Sequence, residues 1–221
     1  MVSDLEHVIT DRAIILSLAD IKAYTRMILQ ALDACHKAWV LHRDIKPNNF
    51  LIAPDGEGRG TLLADTLCRR PSPGTLKLAD FGLARVGASP ERVYTNQVFA
   101  VWYRPPELLF GSKLYGPGVD VWAAGCVVAE MVLRRPWFPG TSEIEVLGKI
   151  FQVGCYRRKL SNVRTISQQV LGTPTEETWP GITALPSFTA FSAAAPSDLR
   201  DVFRTVRHYA HPRLNNINGT N

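Results

Sequence analysis

Two short stretches carry residue types that could do chemistry together. His42-Arg43-Asp44-Ile45-Lys46-Pro47-Asn48-Asn49 offers a carboxylate, a lysine and an amide, and Asp80-Phe81-Gly82 offers a second carboxylate. Asp44 is suited to accept the hydrogen bond of an attacking hydroxyl and to orient it. Asn49 and Asp80 present oxygens to Mg²⁺, a hard cation that favours carboxylate and amide ligands. Lys46 places a positive charge beside a transferring phosphate. Phosphoryl transfer needs little beyond positioning and charge neutralisation, and that is the chemistry this set fits. Either stretch alone is weak, since Asp-Phe-Gly is usually a turn and His-Arg-Asp a surface loop. Together and in this order they are specific.

These groups must be held by the elements around them. Leu16 to Ala38 is predicted as an amphipathic helix with Ile21, Tyr24, Ile28, Leu32 and Cys35 on one face, opened by a capping box from Ser17 to Asp20. Phe50–Ile52 and Thr75–Ala79 read as strands of one hairpin that delivers Asp80, with a turn signal at Pro54-Asp55-Gly56. Glu57–Gly74 interrupts that hairpin; without its 18 residues the Asp44-to-Asp80 separation falls from 36 to 18. Val119–Leu133 is apolar nearly all round and predicts a buried helix, and Ser142–Phe151 a shorter one. Past Pro174 the chain is rich in Pro, Thr and Ala. Residues 215–221 are polar and expected to fray.

Composition removes several classes. With 221 residues and 46% hydrophobic content the chain can bury a sizeable core, which excludes wholesale disorder. Its 4 cysteines form no Cys-x-x-Cys pair, which argues against a zinc ribbon or a disulfide scaffold and for a reducing, intracellular setting. No signal peptide is visible at Met1–Glu6, and the longest apolar run, the 13 residues Val121–Leu133, is too short to span a membrane. The net charge of +5 comes wholly from two segments, +1 from Glu57–Gly74 and +4 from Gln152–Val170. The cluster Tyr156-Arg157-Arg158-Lys159 reads as a solvated face. Neither nucleic acid nor membrane is expected as a direct partner.

The stretches LHRDIKPNNFLIAPDG, TLKLADFGLAR, QVFAVWYRPPELLFGSKLYGPGVDVWAAGC, RRPWFPGTSEIEVLGKIF and LGTPTEETWPGITALPSF resemble the C-terminal lobe of eukaryotic protein kinases. They are most similar to the cyclin-dependent family and its CDK-activating branch, which also phosphorylates the RNA polymerase II tail. The resemblance covers most of residues 1–190. It implies a mainly α fold, the kinase C-terminal lobe with a short β-hairpin, over residues 1–214. The N-terminal β-lobe and its main cyclin-binding helix would be absent. It also implies a Ser/Thr kinase using ATP and Mg²⁺, partnered by a cyclin and an assembly factor, acting on protein substrates, and found in the nucleus or also the cytoplasm.

Family roles follow residue by residue. Asp44 matches the catalytic base, Lys46 the phosphate-contacting lysine, and Asn49 and Asp80 the metal ligands. Met1 and Asp4 fall where the hinge contacts adenine and ribose, and Leu51 where a side chain packs under adenine. Thr95 matches the activation-loop phosphorylation site and Ser89 a second site, with Arg43 and Arg85 placed to pair with phosphate. His42, Phe81, Gly82, Glu107 and Asp120 take structural roles, Asp120 holding the catalytic loop. The pattern departs at Pro105-Pro106-Glu107, where the family has Ala-Pro-Glu, at Val101 for an arginine, and at Asn96 for a histidine. Arg213, the nearest candidate to pair with Glu107, is off the usual spacing. No family counterpart exists for 57–74 and 152–170, which read either as solvated loop insertions or as unspliced intron sequence, the second being preferred. The alternative to an enzyme is an inactive C-lobe fragment that serves as an interaction module.

Overall fold

The computed structural model describes residues 3–53, 74–87, 93–151, 171–196, 199–200 and 203. Met1, Ser89, Arg213, the tail 215–221, the segment 152–170 and all of 57–74 except Gly74 lie outside the described residues. Helix α1 is Leu5–Thr10, α2 Leu18–Lys37, α3 Pro106–Leu109, α4 Gly118–Leu133 and α5 Glu143–Phe151. Strands β1 (Ser3–Asp4), β3 (Phe50–Ala53) and β4 (Thr75–Leu78) form one antiparallel sheet in the order β1-β3-β4. Strands β2 (Val40–Leu41) and β5 (Arg85–Val86) form a second, two-stranded one. The expected hairpin is therefore present and gains a third strand.

Helix α2 starts where the capping box places it. Ser17 Oγ accepts the Asp20 amide at 3.2 Å and Asp20 Oδ2 accepts the Ser17 amide at 2.8 Å, satisfying two otherwise orphaned donors. Its four-residue spacing buries Tyr24, Ile28 and Leu32 against α4 and β4, while Ile21 and Cys35 are half-buried at the edge of that face. Helix α4 is the core helix: Val119, Ala123, Ala124, Val127 and Met131 are buried, although Val121 is about half exposed. It ends at Arg134, whose left-handed backbone (φ 57°) turns the guanidinium onto the end of α1. There Arg134 donates to the carbonyls of Ile9, Ile14, Val8 and Asp11 at 2.7, 2.8, 3.1 and 2.6 Å. Helix α1 is thereby capped by a residue more than a hundred positions away.

The Pro- and Thr-rich stretch past Pro174 has no helical period, yet it packs. Phe110 stacks on Phe151 (centroids 5.9 Å apart) and meets Trp179, Phe188 and Phe191 at 6.1, 5.7 and 6.4 Å. The Glu176 carboxylate ties the turn beneath them by accepting the Gly181 and Thr183 amides at 2.7 and 3.0 Å.

The chain leaves and returns at neighbouring points on either side of 54–73 and of 152–170. Ala53 pairs with Thr75 across the sheet, and the Leu171 amide lies 3.5 Å from the Ile150 carbonyl. Gly74 is needed at the return, because a Cβ there would stand 2.3 Å from the Ala53 oxygen. Closing an already closed loop with fewer residues costs little entropy. Replacing 54–73 by a two-residue turn is therefore expected to leave the fold intact and to raise unfolding free energy by about 1–2 kcal/mol. Urea unfolding of the shortened chain checks this; a lower midpoint would show that the segment contributes to the core.

Candidate active site

The loop from Leu41 to Asn49 is hung from a single buried carboxylate. Asp120, in the first turn of α4 and fully buried, accepts the amides of His42 (2.9 Å) and Arg43 (2.8 Å) and the ring Nε2–H of His36 (3.0 Å). Its two oxygens thus satisfy loop donors that burial would otherwise leave unpaired. His42 donates from Nε2 to the Ala79 carbonyl at 3.0 Å and receives the Asp44 amide on Nδ1 at 3.3 Å, which fixes its tautomer. The Ala79 amide in turn donates to the Asn49 carbonyl at 2.9 Å. The two sequence motifs are therefore bolted to each other through Ala79, immediately before Asp80.

Asp44 is only 7% exposed. One of its oxygens, Oδ2, accepts both Lys46 Nζ at 2.8 Å and Asn49 Nδ2 at 3.0 Å. Asn49 also donates to the Asp44 carbonyl at 2.7 Å, so its amide nitrogen is fully used and its Oδ1 has no hydrogen-bond partner among the described residues. The carboxylate is clamped by one oxygen, and the other is left to accept a donor from outside. Asp80 adopts φ 61°, a left-handed conformation, and accepts the Gly82 amide at 3.3 Å. A Cβ on Gly82 would stand 3.1 Å from that same Asp80 oxygen, which is why glycine suits the position. Phe81 meets His42 edge-to-face (4.7 Å, 69°) and is 47% exposed.

This donor set fits Mg²⁺ in one particular way. Among the described residues no three His, Cys, Asp or Glu side chains gather at a point. An amide oxygen and one or two carboxylates suffice for Mg²⁺ only when nucleotide phosphates complete its octahedron. Asp4 and Leu51, expected at the nucleotide, are brought together as cross-strand partners of β1 and β3. Asp4 Oδ1 also caps α1 by accepting the His7 amide at 2.8 Å.

The segment after Asp80 carries the remaining expected residues. Thr95 is exposed, and its Oγ1 accepts the Gln97 amide at 3.3 Å. Arg43 is buried, whereas Arg85 is exposed on β5 with its guanidinium on the Ala84 carbonyl at 2.9 Å. Phe99 and Arg104, which the motifs did not single out, shape this region. Phe99 takes φ 64°, its amide donates to the Arg43 carbonyl (3.2 Å), and its own carbonyl accepts Arg104 Nη2 (3.1 Å). Arg104, buried, also donates to the Val98 carbonyl at 2.8 Å and pairs with Glu143 of α5. A non-glycine residue at positive φ was the signal to look for, but no sequence pattern reveals it.

Glu107, half-buried at α3, has no cationic partner among the described residues, and burial pushes its carboxyl above the ordinary glutamate range. A folded-state pKa above the unfolded one means that stability is greatest below the ordinary glutamate value and is lost as pH rises through the folded one. Glu107→Gln is accordingly expected to raise the urea midpoint at pH 7, with the gain vanishing in acid. A midpoint that fell at pH 7 would show that the carboxylate is paired in solution. The two free cysteines among the described residues offer no competing chemistry: burial raises both the Cys126 and Cys35 thiols, away from the reactive thiolate.

A protein kinase domain model matches residues 1–176, and the chain belongs to the protein kinase family. Within it, the chain is close to cyclin-dependent kinases of the activating type. It is 48% identical over 203 residues to cyclin-dependent kinase D-1 of Oryza sativa subsp. indica, covering 92% of this chain and 40% of that protein. Cyclin-dependent kinase 7 of Dictyostelium discoideum is 44% identical over 200 residues, 90% of this chain and 46% of that one. Among solved structures, the CAK complex of Chaetomium thermophilum bound to ATP-gamma-S superposes with a TM-score of 0.70 at 39% identity, over 92% of this chain and 53% of that one. A yeast RNA Pol II CTD kinase CTDK-1 complex gives 0.68 at 29% identity, over 92% and 57%. The chain thus spans about half the length of the relatives it matches.

Proposed function

We propose that this chain carries the catalytic loop, metal ligands and activation segment of a cyclin-dependent Ser/Thr kinase. It would transfer the γ-phosphoryl of ATP to Ser or Thr of proteins, among them cyclin-dependent kinases and the RNA polymerase II tail. In this reading residues 1–214 are hinge and C-terminal lobe, with inserts at 57–74 and 152–170. A cyclin and an assembly factor are its partners and the nucleus its place of action. The observation that carries the reading is the clamp on Asp44: Lys46 and Asn49 hold one oxygen and leave the second for a substrate hydroxyl.

The chemistry supplied by Mg·ATP when bound is a transferable phosphoryl group with its charge neutralised. The chain's own residues do the rest. Asp44 Oδ1 would accept the hydrogen bond of the incoming hydroxyl and take up its proton as that oxygen bonds to the γ-phosphorus, the bond to the β–γ bridging oxygen breaks and ADP leaves. Lys46 stays beside Asp44 as a fixed positive charge next to the phosphoryl group. Asn49 holds Asp44 through Nδ2, and its Oδ1 would be free to hold the metal. Asp80, next in the chain after Ala79, would supply a second oxygen to it.

The alternative reading is an inactive interaction module. One experiment separates the two. The chain is joined to the glycine-loop lobe of a relative, supplied with that relative's cyclin and Mg·ATP, and assayed on a Ser-Pro peptide of the polymerase tail. Transfer at least a hundredfold above the lobe alone is expected. A folded, cyclin-bound protein without transfer would establish the interaction module instead.

A further inference from the structure

Arg43 is buried yet serves three separate pieces of chain. Its Nε donates to the Leu83 carbonyl at 2.9 Å, its backbone carbonyl accepts the Phe99 amide at 3.2 Å, and Nη1 donates to the Tyr115 hydroxyl at 3.0 Å. Tyr115, in the turn between α3 and α4, passes the connection on: its hydroxyl donates to the Thr95 carbonyl at 2.6 Å. The Tyr115 ring lies 5.1 Å from that of Tyr94, over which the Arg43 guanidinium sits at 5.7 Å. The Tyr94 amide is fixed on the Lys113 carbonyl at 2.8 Å, so the same turn grips the segment twice. Residues 94–99 are thus tied to the catalytic loop at Phe99 by a backbone bond and at Thr95 by a phenol, with no phosphate involved.

We propose that Tyr115 is a positioning residue. Its hydroxyl is a relay that holds residues 94–99 on Arg43 while Thr95 is unmodified, and a phosphate on Thr95 takes over that hold. The proposal rests on reading these residues as the activation segment. A phenol is suited to the role because one oxygen accepts from the guanidinium and donates to a carbonyl at once. The arrangement is also ready for the exchange. Arg43 uses only Nε and one Nη1 hydrogen, so its other N–H groups, without hydrogen-bond partners among the described residues, can receive phosphate oxygens while Leu83 stays bound. Phosphorylation on this account replaces one tether by a stronger one, rather than ordering a segment that had none.

The test is amide hydrogen exchange of the full 221-residue chain, wild type and Tyr115→Phe, each with Thr95 unmodified or carrying genetically encoded phosphothreonine. Losing the relay is expected to speed exchange of the Tyr94 and Phe99 amides about tenfold, the equivalent of one lost hydrogen bond. Amides of α2 and α4 should not change, and phosphothreonine should restore the slow rate. Unchanged Tyr94 and Phe99 rates in Tyr115→Phe would overturn the proposal, as would a rise that phosphothreonine does not reverse, since a purely structural ring would behave that way. Should α2 and α4 loosen too, the wild-type pair decides. Phosphothreonine leaves the protection of Tyr94 and Phe99 nearly unchanged if the relay already holds them, and raises it about tenfold if it does not. No nucleotide enters this measurement, so its failure is distinct from a failure of phosphoryl transfer.

Discussion

Asp44→Asn in the lobe-joined protein is expected to lower kcat by about a hundred- to ten-thousandfold, the range of a positioned general base. The clamp explains why the effect falls on turnover. An asparagine can keep its carbonyl oxygen where Oδ2 accepts from Lys46 and Asn49, so the loop retains its shape. Its NH₂ then stands where Oδ1 faced the substrate hydroxyl, offering a donor in place of an acceptor. Nucleotide affinity should change little, because Asn49 and Asp80, the proposed metal ligands, are untouched. Steady-state kinetics with a tail peptide checks this. A large rise in the KM for ATP with kcat preserved would place Asp44 in nucleotide binding instead.

Asp120→Ala is expected to cost about 3–5 kcal/mol, the largest stability effect of any single substitution considered, because it strands several buried donors at once. The buried amides of His42 and Arg43 lose their acceptor and cannot reach water, and the partly exposed ring of His36 loses its partner as well. Measured against the 5–15 kcal/mol typical of a whole domain, such a loss brings the chain close to unfolding. Asp120→Asn keeps one acceptor oxygen and should cost about half as much. Urea midpoints of the two variants test the order. Equal midpoints would mean that the loop finds other acceptors and does not hang from Asp120.

Much of this was legible in the order of residues, for identifiable reasons. The candidate catalytic residues lie within eight positions of one another or in a tripeptide, so local spacing makes each motif visible. Helix α2 announces itself by a capping box and a regular apolar face. Helix α4 is visible because burial on nearly all sides leaves no polar stripe. The hairpin was readable despite its long connection because Ala53 and Thr75 still pair.

The illegible parts are those where partners are distant or no period exists. Nothing around Arg134 signals that its guanidinium closes α1, and a two-residue strand such as β1 leaves no pattern. Tyr115 and Arg104 look like ordinary turn residues until Thr95 and Phe99 are brought to them. The stretch around Phe188 and Phe191 packs through aromatic rings on Phe110 with no regular backbone to predict it. Nor does local sequence show that Arg43 is buried on Leu83 and Tyr115 while Arg85 remains on the surface.

The claim on which the account turns is that Asp44 and Asp80 act in one phosphoryl-transfer centre. The direct measurement is kcat for transfer from Mg·ATP to the tail peptide in the lobe-joined protein, compared among wild type, Asp44→Asn, Asp80→Asn and the double variant. Residues that work as a unit are far from additive. The double variant is therefore expected to be no more than about tenfold worse than the poorer single one. Losses that multiply in full would contradict the account, because they would place the two carboxylates in separate, independent roles.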